Sequence, residues 1–217
     1  TEIYPKKPIY DIPGYPAVNA GELVDNLMKQ IEPFNPSFTL GERAETIERL
    51  EDQSFVLTTN KGTKINAPVI AIAAGLGAFE PRKPPISNIA QYEDGKGVAY
   101  FIRDPEVYRD KSVVIAGGGD SALDWTIFLA DVAKEVTLVH RRTGFRGALD
   151  SVEKVKQLDM EGKIKLLTEA QVVGLAGDDH LTEVLIKHKN LGEFTKEADE
   201  FIPLFGLTPK LGPLANW

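Results

Sequence analysis

The sequence predicts an α/β chain with a mostly β first part and an α/β second part. In the second part, "KSVVIAGGGDSALDWTIFLADVAKEVTLVHRR" reads strand, glycine turn, helix and strand, which is typical of a βαβ unit. The first part holds several short strand-like runs separated by turn residues. Of the 217 residues, 42% are hydrophobic and 26% are charged, so the chain has the apolar residues that a buried core requires.

The N-terminal stretch "TEIYPKKPIYDIPGYPAV" is rich in proline, which prevents a long helix or a central strand. A helix is predicted next, over "NAGELVDNLMKQIEPF". Asn19 is its expected N-cap, and Glu22 lies three residues later, in the register of a capping box. Leu23, Leu27 and Ile31 recur every four residues and are expected to share one face.

Short strands are predicted to follow this helix, with a hairpin whose turn lies in "TTNKGT". The continuous apolar run from Val69 to Ala73 predicts a strand that is covered on both faces. This run ends at Gly75 and Gly77, and prolines come after it.

Beyond the βαβ unit, the pattern predicts a helix over about residues 151–161 and a strand in "KIKLLTE". Two further runs, "TEVLIKHKN" and "FTKEADEFIPLFG", have the composition of antiparallel strands. The polar stretch "PISNIAQYEDGKG", with a turn signal at Asp94-Gly95, separates the two parts of the chain.

The net charge of −7 argues against a protein that coats nucleic acid, because such a surface must be basic. No apolar run approaches the length of a membrane span, and the N-terminus lacks the apolar region of a signal peptide. We therefore expect a cytoplasmic protein with no nucleic-acid or membrane partner. Cysteine is absent and the three histidines, His140, His180 and His188, are scattered, so no metal site is predicted.

The three glycines of "AGGGDS", called the glycine turn below, have the spacing of a dinucleotide-binding motif. Gly117 would permit the tight turn, and Ala122 would let the helix and the strand pack closely. Gly119, which has no side chain, would let a pyrophosphate approach the backbone and the N-terminus of the helix. Asp120 and Ser121 lie in the first helical turn, which they can cap, and they are expected to be cofactor-binding residues. A strand–helix turn that binds nothing is the competing interpretation.

The strand after this helix ends in a cluster of arginines. Where an NAD-specific fold has Asp or Glu, this chain has His140, followed by Arg141, Arg142 and, one turn later, Arg146. A carboxylate would repel a 2′-phosphate, whereas guanidinium groups bind it through paired, charge-assisted hydrogen bonds. The sequence therefore predicts NADP(H) as the ligand, and a solvated basic loop with no ligand is the alternative.

Taken together, "GGGDSALDW" and "VTLVHRRTGFR" resemble the NADP domain of the thioredoxin-reductase-like flavoproteins. With "YPKKPIYDIPGYP", "AAGLGAFEPRK" and "YFIRDPEVYRDK", the whole chain resembles the thioredoxin-reductase-type ferredoxin–NADP+ oxidoreductases. The resemblance implies a homodimer whose protomers have two Rossmann-like three-layer dinucleotide-binding domains, for FAD and for NADP(H), the second inserted into the first. Residues 1–93 and 206–217 then belong to the FAD domain, and residues 94–205 form the NADP domain.

The chain also departs from this family. The N-terminal FAD glycine turn and the C-terminal FAD segment have no counterpart here, so the FAD domain is expected to be incomplete, as in the middle of a longer polypeptide. Where thioredoxin reductases carry a C-x-x-C pair, this chain has "AYFIRDPEVY". The lack of thiols excludes thiol chemistry and implies that electrons leave the flavin for a ferredoxin or flavodoxin partner.

The resemblance assigns five residues to FAD. Tyr4 matches a tyrosine that stacks on the flavin ring, and Asp11 matches an acidic position near the flavin. Ala44 matches a position whose backbone meets the adenine, while Gly75 and Phe79 match a turn that approaches FAD.

The activity that this resemblance implies is hydride transfer between NADPH and FAD, followed by single-electron transfer to ferredoxin or flavodoxin. The cofactors perform this chemistry, so no catalytic side chain is predicted. A non-catalytic NADP(H)-binding module and another NADPH-dependent flavin reductase or diaphorase are the alternatives. Lys6 and Lys7, beside the expected stacking Tyr4, are the candidate docking patch for an electron acceptor.

Overall fold

The computed structural model describes residues 8–75 and 77–216, with the backbone alone at Ala78, Phe79 and Asn216. These residues form two compact units. The sheet unit is Pro81–Gly206, and the hairpin unit combines Pro8–Glu80 with residues 207–216. No described helix has both the length and the apolar character that a bilayer-crossing segment needs.

The hairpin unit is assembled from short strands and one long helix. Its elements in the first part of the chain are β1 (Pro8–Ile9), β2 (Val18–Asn19), α1 (Ala20–Ile31), β3 (Ala44–Arg49), β4 (Phe55–Thr59), β5 (Lys64–Ala67) and β6 (Ala78–Pro81). β1 pairs with β2, and β3, β4 and β5 form an antiparallel sheet in chain order. The predicted hairpin is confirmed, since Thr59 N–H donates to Thr63 O at 2.9 Å and Gly62 closes the turn with a φ of +83°.

Helix α1 is close to its predicted position, but its capping differs from the expectation. Asn19 occupies the N-cap position with extended backbone, and its side chain forms no capping hydrogen bond. The expected capping box with Glu22 therefore does not form. On the predicted apolar face, Leu23 is buried, whereas Leu27 and Ile31 are exposed, so only the first part of the helix packs against its unit.

The apolar run that starts at Val69 is not a strand, which corrects the sequence prediction. Val69 is 75% exposed and Ile72 is 63% exposed, and no strand among the described residues pairs with this run. A covered parallel strand needs hydrogen-bonding neighbours, so strand-forming residues alone do not produce one. The turn that follows is present, because Gly77 N–H donates to Ala74 O at 2.9 Å and Gly75 has a φ of +57°.

The sheet unit contains a four-stranded parallel sheet and a three-stranded antiparallel meander. Its elements, and the strand that follows them in the hairpin unit, are β7 (Ser112–Gly117), α2 (Asp120–Leu129), β8 (Glu135–Val139), α3 (Leu149–Met160), β9 (Lys165–Leu167), β10 (Ala170–Ala176), β11 (Glu183–His188), β12 (Gly192–Glu197), β13 (Glu200–Leu204) and β14 (Leu207–Lys210). The parallel sheet has the order β13–β7–β8–β9, the meander is β10–β11–β12, and β14 pairs with β6. The predicted βαβ unit is confirmed as β7–α2–β8.

Both faces of the parallel sheet are covered, which gives three layers. Along β7, Val113 and Ile115 belong to the core formed with α2 and α3. Their neighbours Val114 and Ala116 belong to the core formed with the meander. This alternation is the period of two of a β-strand, and it places apolar side chains between the sheet and each covering layer.

The run "FTKEADEFIPLFG" contains two strands of different kinds. Its first half is in β12 of the meander, but its second half is β13, which pairs in parallel with β7 from Glu200 opposite Val113 to Leu204 opposite Gly117. Phe201 is fully buried on the meander side of the sheet, and Ile202 is fully buried on the helix side. Burial on both faces, together with the parallel pairing with β7, makes β13 a covered parallel strand of this sheet, which corrects the antiparallel prediction.

The stretch "PRKPPISNIAQYE", which the sequence analysis placed in the first domain, packs within the sheet unit. Ile86, Ile89 and Tyr92 are buried in the core on the meander side. The Tyr92 hydroxyl donates to Gly177 O at 2.8 Å. These contacts explain why the compact units divide at residue 80 and not near residue 93.

Strand β10, which the sequence analysis did not predict, carries a bulge. Its pairing with β11 changes register between Val172 and Gly174, so Val173 is an extra residue in the strand. Ala170 and Leu175 are both buried. In a regular strand their odd spacing would place them on opposite faces. The bulge therefore realigns the two halves of the strand so that each directs an apolar residue towards the core.

Candidate functional site

A cleft of about 440 Å³ opens at the carboxyl edge of the parallel sheet. The ends of β7, β8 and β13 line it, together with the first half of β10 and the segment after β6. Open α/β sheets bind their ligands at this edge. The lining residues are Arg82, Lys83, Pro84, Pro85, Ala116, Gly117, Gly118, Val139, His140, Arg141, Arg142, Gly144, Arg146, Ala170, Gln171, Val172, Val173, Leu204 and Phe205.

Gly117 and Gly119 serve the glycine turn in different ways. A Cβ on Gly117 would lie 2.7 Å from Ala122 Cβ and 2.8 Å from Leu204 O. Glycine is therefore required there by close packing, and not for a tight turn as the sequence suggested. A Cβ on Gly119 would meet no atom within 4 Å. Since Gly119 is the N-cap of α2, the space beside it gives a ligand open access to the N–H groups of the helix N-terminus.

The middle glycine, Gly118, lies against the imidazole ring of His140. A Cβ on Gly118 would be 2.1 Å from the ring atom Cε1, so any side chain would displace the ring. The ring stacks on Phe145 with centroids 4.6 Å apart, and its Nε2 lies 3.0 Å from Gly144 O, to which the Nε2–H tautomer donates. Because His140 is only 8% exposed, its main role here is to pack the glycine turn against the loop after β8.

The arginine loop, residues 141–148, brings three exposed guanidinium groups to the cleft. Arg141, Arg142 and Arg146 all belong to its lining. None of the ion pairs within residues 8–75 and 77–216 involves them. Arg146 N–H donates to Gly118 O at 2.8 Å, which joins the loop to the glycine turn. Their charges are therefore available to an anionic ligand.

Asp120 and Ser121, which the sequence predicted as cofactor-binding residues, do not belong to the lining of the cleft. They lie in the first turn of α2, directly after the N-cap residue Gly119. Asp120 Oδ1 instead accepts a hydrogen bond from Ala148 N–H at 2.8 Å. Its carboxylate thus ties the arginine loop to the start of the helix.

Lys83 adds a further basic side chain to the cleft, but its charge is compensated. Its Nζ lies 2.6 Å and 2.8 Å from the two carboxylate oxygens of Glu93, and the Tyr100 hydroxyl donates to Glu93 at 2.5 Å. The hydrogen bonds from Lys83 and Tyr100 lower the pKa of Glu93. Burial, and then the Glu93 carboxylate, raise the pKa of Tyr100. At neutral pH, Lys83 therefore faces an ionised partner, in contrast to the three arginines.

The residues predicted to contact FAD belong to the hairpin unit, and the structure does not test their roles. Asp11 is exposed, Ala44 is the first residue of β3, and Gly75 lies in the turn after the apolar run. The predicted residues outside the described part of the chain are Tyr4, Lys6, Lys7 and, for its side chain, Phe79. These assignments stay predictions.

Two contacts were not predicted from the sequence: the contact between Gly118 and His140 and the tether from Asp120 to Ala148. One signal was available for the first: the dinucleotide motif needs glycine at only two of the three consecutive positions. The middle glycine, Gly118, therefore needs a separate explanation, which is that the imidazole ring of His140 leaves no space for a side chain. No local pattern indicated the tether, because its two residues are 28 positions apart.

Comparison with known proteins identifies relatives over the whole chain. A family model described as pyridine nucleotide-disulphide oxidoreductase matches residues 6–217. Ferredoxin–NADP reductase 1 of Christiangramia forsetii is 70% identical, over 100% of this chain and 62% of that protein. Ferredoxin–NADP reductase of Flavobacterium johnsoniae is 66% identical, over 100% of this chain and 61% of that protein. The chain thus spans about 62% of the length of such relatives.

Among solved structures, thioredoxin reductase of Lactococcus lactis superposes with a TM-score of 0.80 at 22% identity. The similarity covers 99% of this chain and 69% of that one. At this identity the similarity shows the fold alone. The predicted α/β fold with thioredoxin-reductase-like, Rossmann-type domains is therefore confirmed.

Proposed function

The chain belongs to the pyridine nucleotide-disulphide oxidoreductase family, and we propose that it is part of an NADPH-dependent flavoenzyme that reduces ferredoxin or flavodoxin. The observation that carries the proposal is the arginine loop, with three exposed guanidinium groups beside the glycine turn. The names of the two relatives, ferredoxin–NADP reductases at 70% and 66% identity, support the same activity.

NADP(H) is the proposed ligand of the cleft. Its pyrophosphate would lie beside Gly119, where the space that a Cβ would fill is empty and the N-terminus of α2 supplies N–H donors. Its 2′-phosphate would be bound by Arg141, Arg142 and Arg146, because guanidinium groups pair with phosphate oxygens through two parallel hydrogen bonds. The chain's own residues thus bind and orient the nucleotide.

FAD is the proposed resident cofactor, held in part by the hairpin unit. When bound, FAD would supply the redox chemistry that connects hydride transfer from NADPH to single-electron transfer. The turn at Gly75 suits a ligand that approaches the backbone, because a Cβ there would meet no atom within 4 Å. We propose that Asp11 and Ala44, with Tyr4 and Phe79, complete this part of the FAD site.

A protein acceptor fits this chain better than a dithiol acceptor. The 217 residues contain no cysteine. The segment "AYFIRDPEVY", which replaces the C-x-x-C pair, packs into the sheet unit, with Ile102 and Tyr108 buried in the helix-side core. We therefore propose ferredoxin or flavodoxin as the partner and, from the family resemblance, a cytoplasmic homodimer.

The test of this proposal is the coenzyme preference of the full-length protein. Arg141→Ala combined with Arg142→Ala is expected to reduce kcat/KM for NADPH by at least about tenfold for each lost contact, because a charge-assisted hydrogen bond contributes about 1.5–3 kcal/mol. The value for NADH should barely change. Ferredoxin reduction is followed with each coenzyme. A control variant, Arg49→Ala with Arg103→Ala, removes the same charge away from the cleft, and equal losses for both coenzymes in the test variant would refute the 2′-phosphate assignment.

A second test addresses the pyrophosphate position. Gly119→Val is expected to abolish NADPH binding while the protein stays folded, because the new side chain enters space that is open in the free chain. Isothermal titration calorimetry measures the binding, and circular dichroism checks the fold. Normal NADPH affinity in this variant would show that the phosphate lies elsewhere.

A further inference from the structure

Asp120 is placed where a residue that contacts a nucleotide phosphate is not expected. It is the first residue of α2, directly after the glycine turn, and it carries a negative charge at the helix end that favours anions. A carboxylate beside a bound phosphate repels it. We therefore expect Asp120 to have a role other than contact with the ligand.

The contacts of Asp120 indicate that role. Its Oδ1 accepts a hydrogen bond from Ala148 N–H at 2.8 Å, across 28 residues of chain. The arginine loop also approaches it closely, since a Cβ on Gly147 would lie 3.1 Å from Asp120 N and 3.2 Å from Asp120 Oδ1. The end of the arginine loop is therefore held directly on the first turn of α2.

Arg146 provides the first of two attachments of this loop, and Ala148 provides the second. Arg146 N–H donates to Gly118 O at 2.8 Å, and two residues later Ala148 N–H donates to Asp120. Both attachments end on the segment 118–120, which contains the proposed pyrophosphate position. The backbone that carries the Arg146 side chain is thus fixed relative to the glycine turn.

We propose that Asp120 is a positioning residue that sets the preference for a 2′-phosphate by holding Arg146 in place, without touching the ligand. This inference rests on the proposed NADP(H) site. Holding the loop before the ligand arrives lowers the ordering cost of binding, and the gain applies only to a ligand that uses Arg146. The ratio of the affinities for NADP+ and NAD+, which differ only by the 2′-phosphate, therefore reports on Asp120.

The experiment compares Asp120→Ala with Asp120→Asn in the full-length protein, using isothermal titration calorimetry with NADP+ and NAD+. Both variants lose the negative charge, but the asparagine oxygen can still accept from Ala148 N–H. Asp120→Asn is expected to bind both nucleotides more tightly and to keep the parental affinity ratio. Asp120→Ala is expected to lower the ratio by about three- to tenfold, the range for one lost hydrogen bond. Binding of NAD+ confirms in each case that the protein is folded.

A double-mutant cycle with Arg146→Ala shows whether Asp120 acts through that arginine. In the Arg146→Ala background, Asp120→Ala and Asp120→Asn should give the same ratio. The inference is overturned if the two variants share one ratio in the parental background, or if their difference persists without Arg146. A parental protein that binds NADP+ and NAD+ equally well would instead refute the proposed NADP(H) site, so the two failures are distinguishable.

Discussion

The two units of the chain bury their apolar residues to very different extents. In the sheet unit, the strands of the parallel sheet hold Ile115, Leu138 and Ile202 at 0% exposure. In the hairpin unit, Val69 is 75% exposed and Leu40 is 82% exposed. Both units contain strand-forming apolar segments, but within the described part of the chain only the sheet unit covers its segments with a layer on each face.

This difference shows that pairing, and not composition, decides whether an apolar segment becomes a strand. The run from Val69 to Ala73 is even more apolar than β13, which includes Glu200 and Pro203. β13 becomes a strand because β7 offers its edge, whereas no strand pairs with the run at Val69 among the described residues. The sheet unit therefore has an internal source of stability that the described part of the hairpin unit lacks.

The largest expected effect concerns the two units expressed separately. Residues 81–206 should fold alone, with cooperative urea unfolding and a free energy of unfolding of about 5 kcal/mol or more, because they contain both buried cores. Residues 8–80 alone should show no cooperative transition. Both fragments are examined by circular dichroism during urea titration and by the dispersion of their amide signals in NMR spectra. A cooperative unfolding transition of the 8–80 fragment would contradict the expectation that the two units differ in stability.

A matched pair of truncations tests the same contrast within the intact chain. Ile202→Ala should lower the free energy of unfolding by about 3 kcal/mol, because it opens a cavity at a fully buried position. Ile72→Ala should change it by less than about 0.5 kcal/mol, because that side chain is 63% exposed. Urea denaturation of the 217-residue chain gives both values. Equal losses would mean that the exposed run is packed in solution.

The smallest expected effect is an increase in the stability of the sheet unit. The Thr137 hydroxyl is fully buried in β8 and has no hydrogen-bond partner among the residues that the structure describes. Thr137→Val removes this unsatisfied group and should raise the free energy of unfolding by about 1 kcal/mol. Thr126→Val is the control, because the Thr126 hydroxyl donates to Ala122 O at 2.7 Å and its loss should bring no gain. Thermal unfolding followed by circular dichroism ranks the variants, and a less stable Thr137→Val protein would contradict the expectation.

The sequence predicted the features that depend on local pattern. The βαβ unit, the hairpin and helix α1 follow from periodicity and turn residues over short distances. The arginine loop was also predicted, and the structure brings Arg141, Arg142 and Arg146 to one cleft with Gly117. Spacing along one strand and one turn is sufficient for such residues, since the fold places the carboxyl ends of parallel strands together.

Features that depend on distant neighbours were wrong or missed. The parallel pairing of β13 requires β7, almost ninety residues earlier, and a strand pattern does not state which partner it will meet. Gly118 has no turn-related reason to be glycine, and only the position of His140 explains it. Asp120 looked like a helix cap until its bond to Ala148 was seen. Each of these roles is a property of packing between separate segments.

The bulge in β10 determines where the sheet unit can change in length. In an ordinary strand, deleting one residue moves every following side chain to the opposite face. At Val173, the same deletion would restore a regular ladder with β11 and leave Ala170 and Leu175 on the face that they already share. A homologous sequence shorter by one residue can therefore be accommodated at this point. The effect of the deletion would fall on the cleft, whose lining includes Val173.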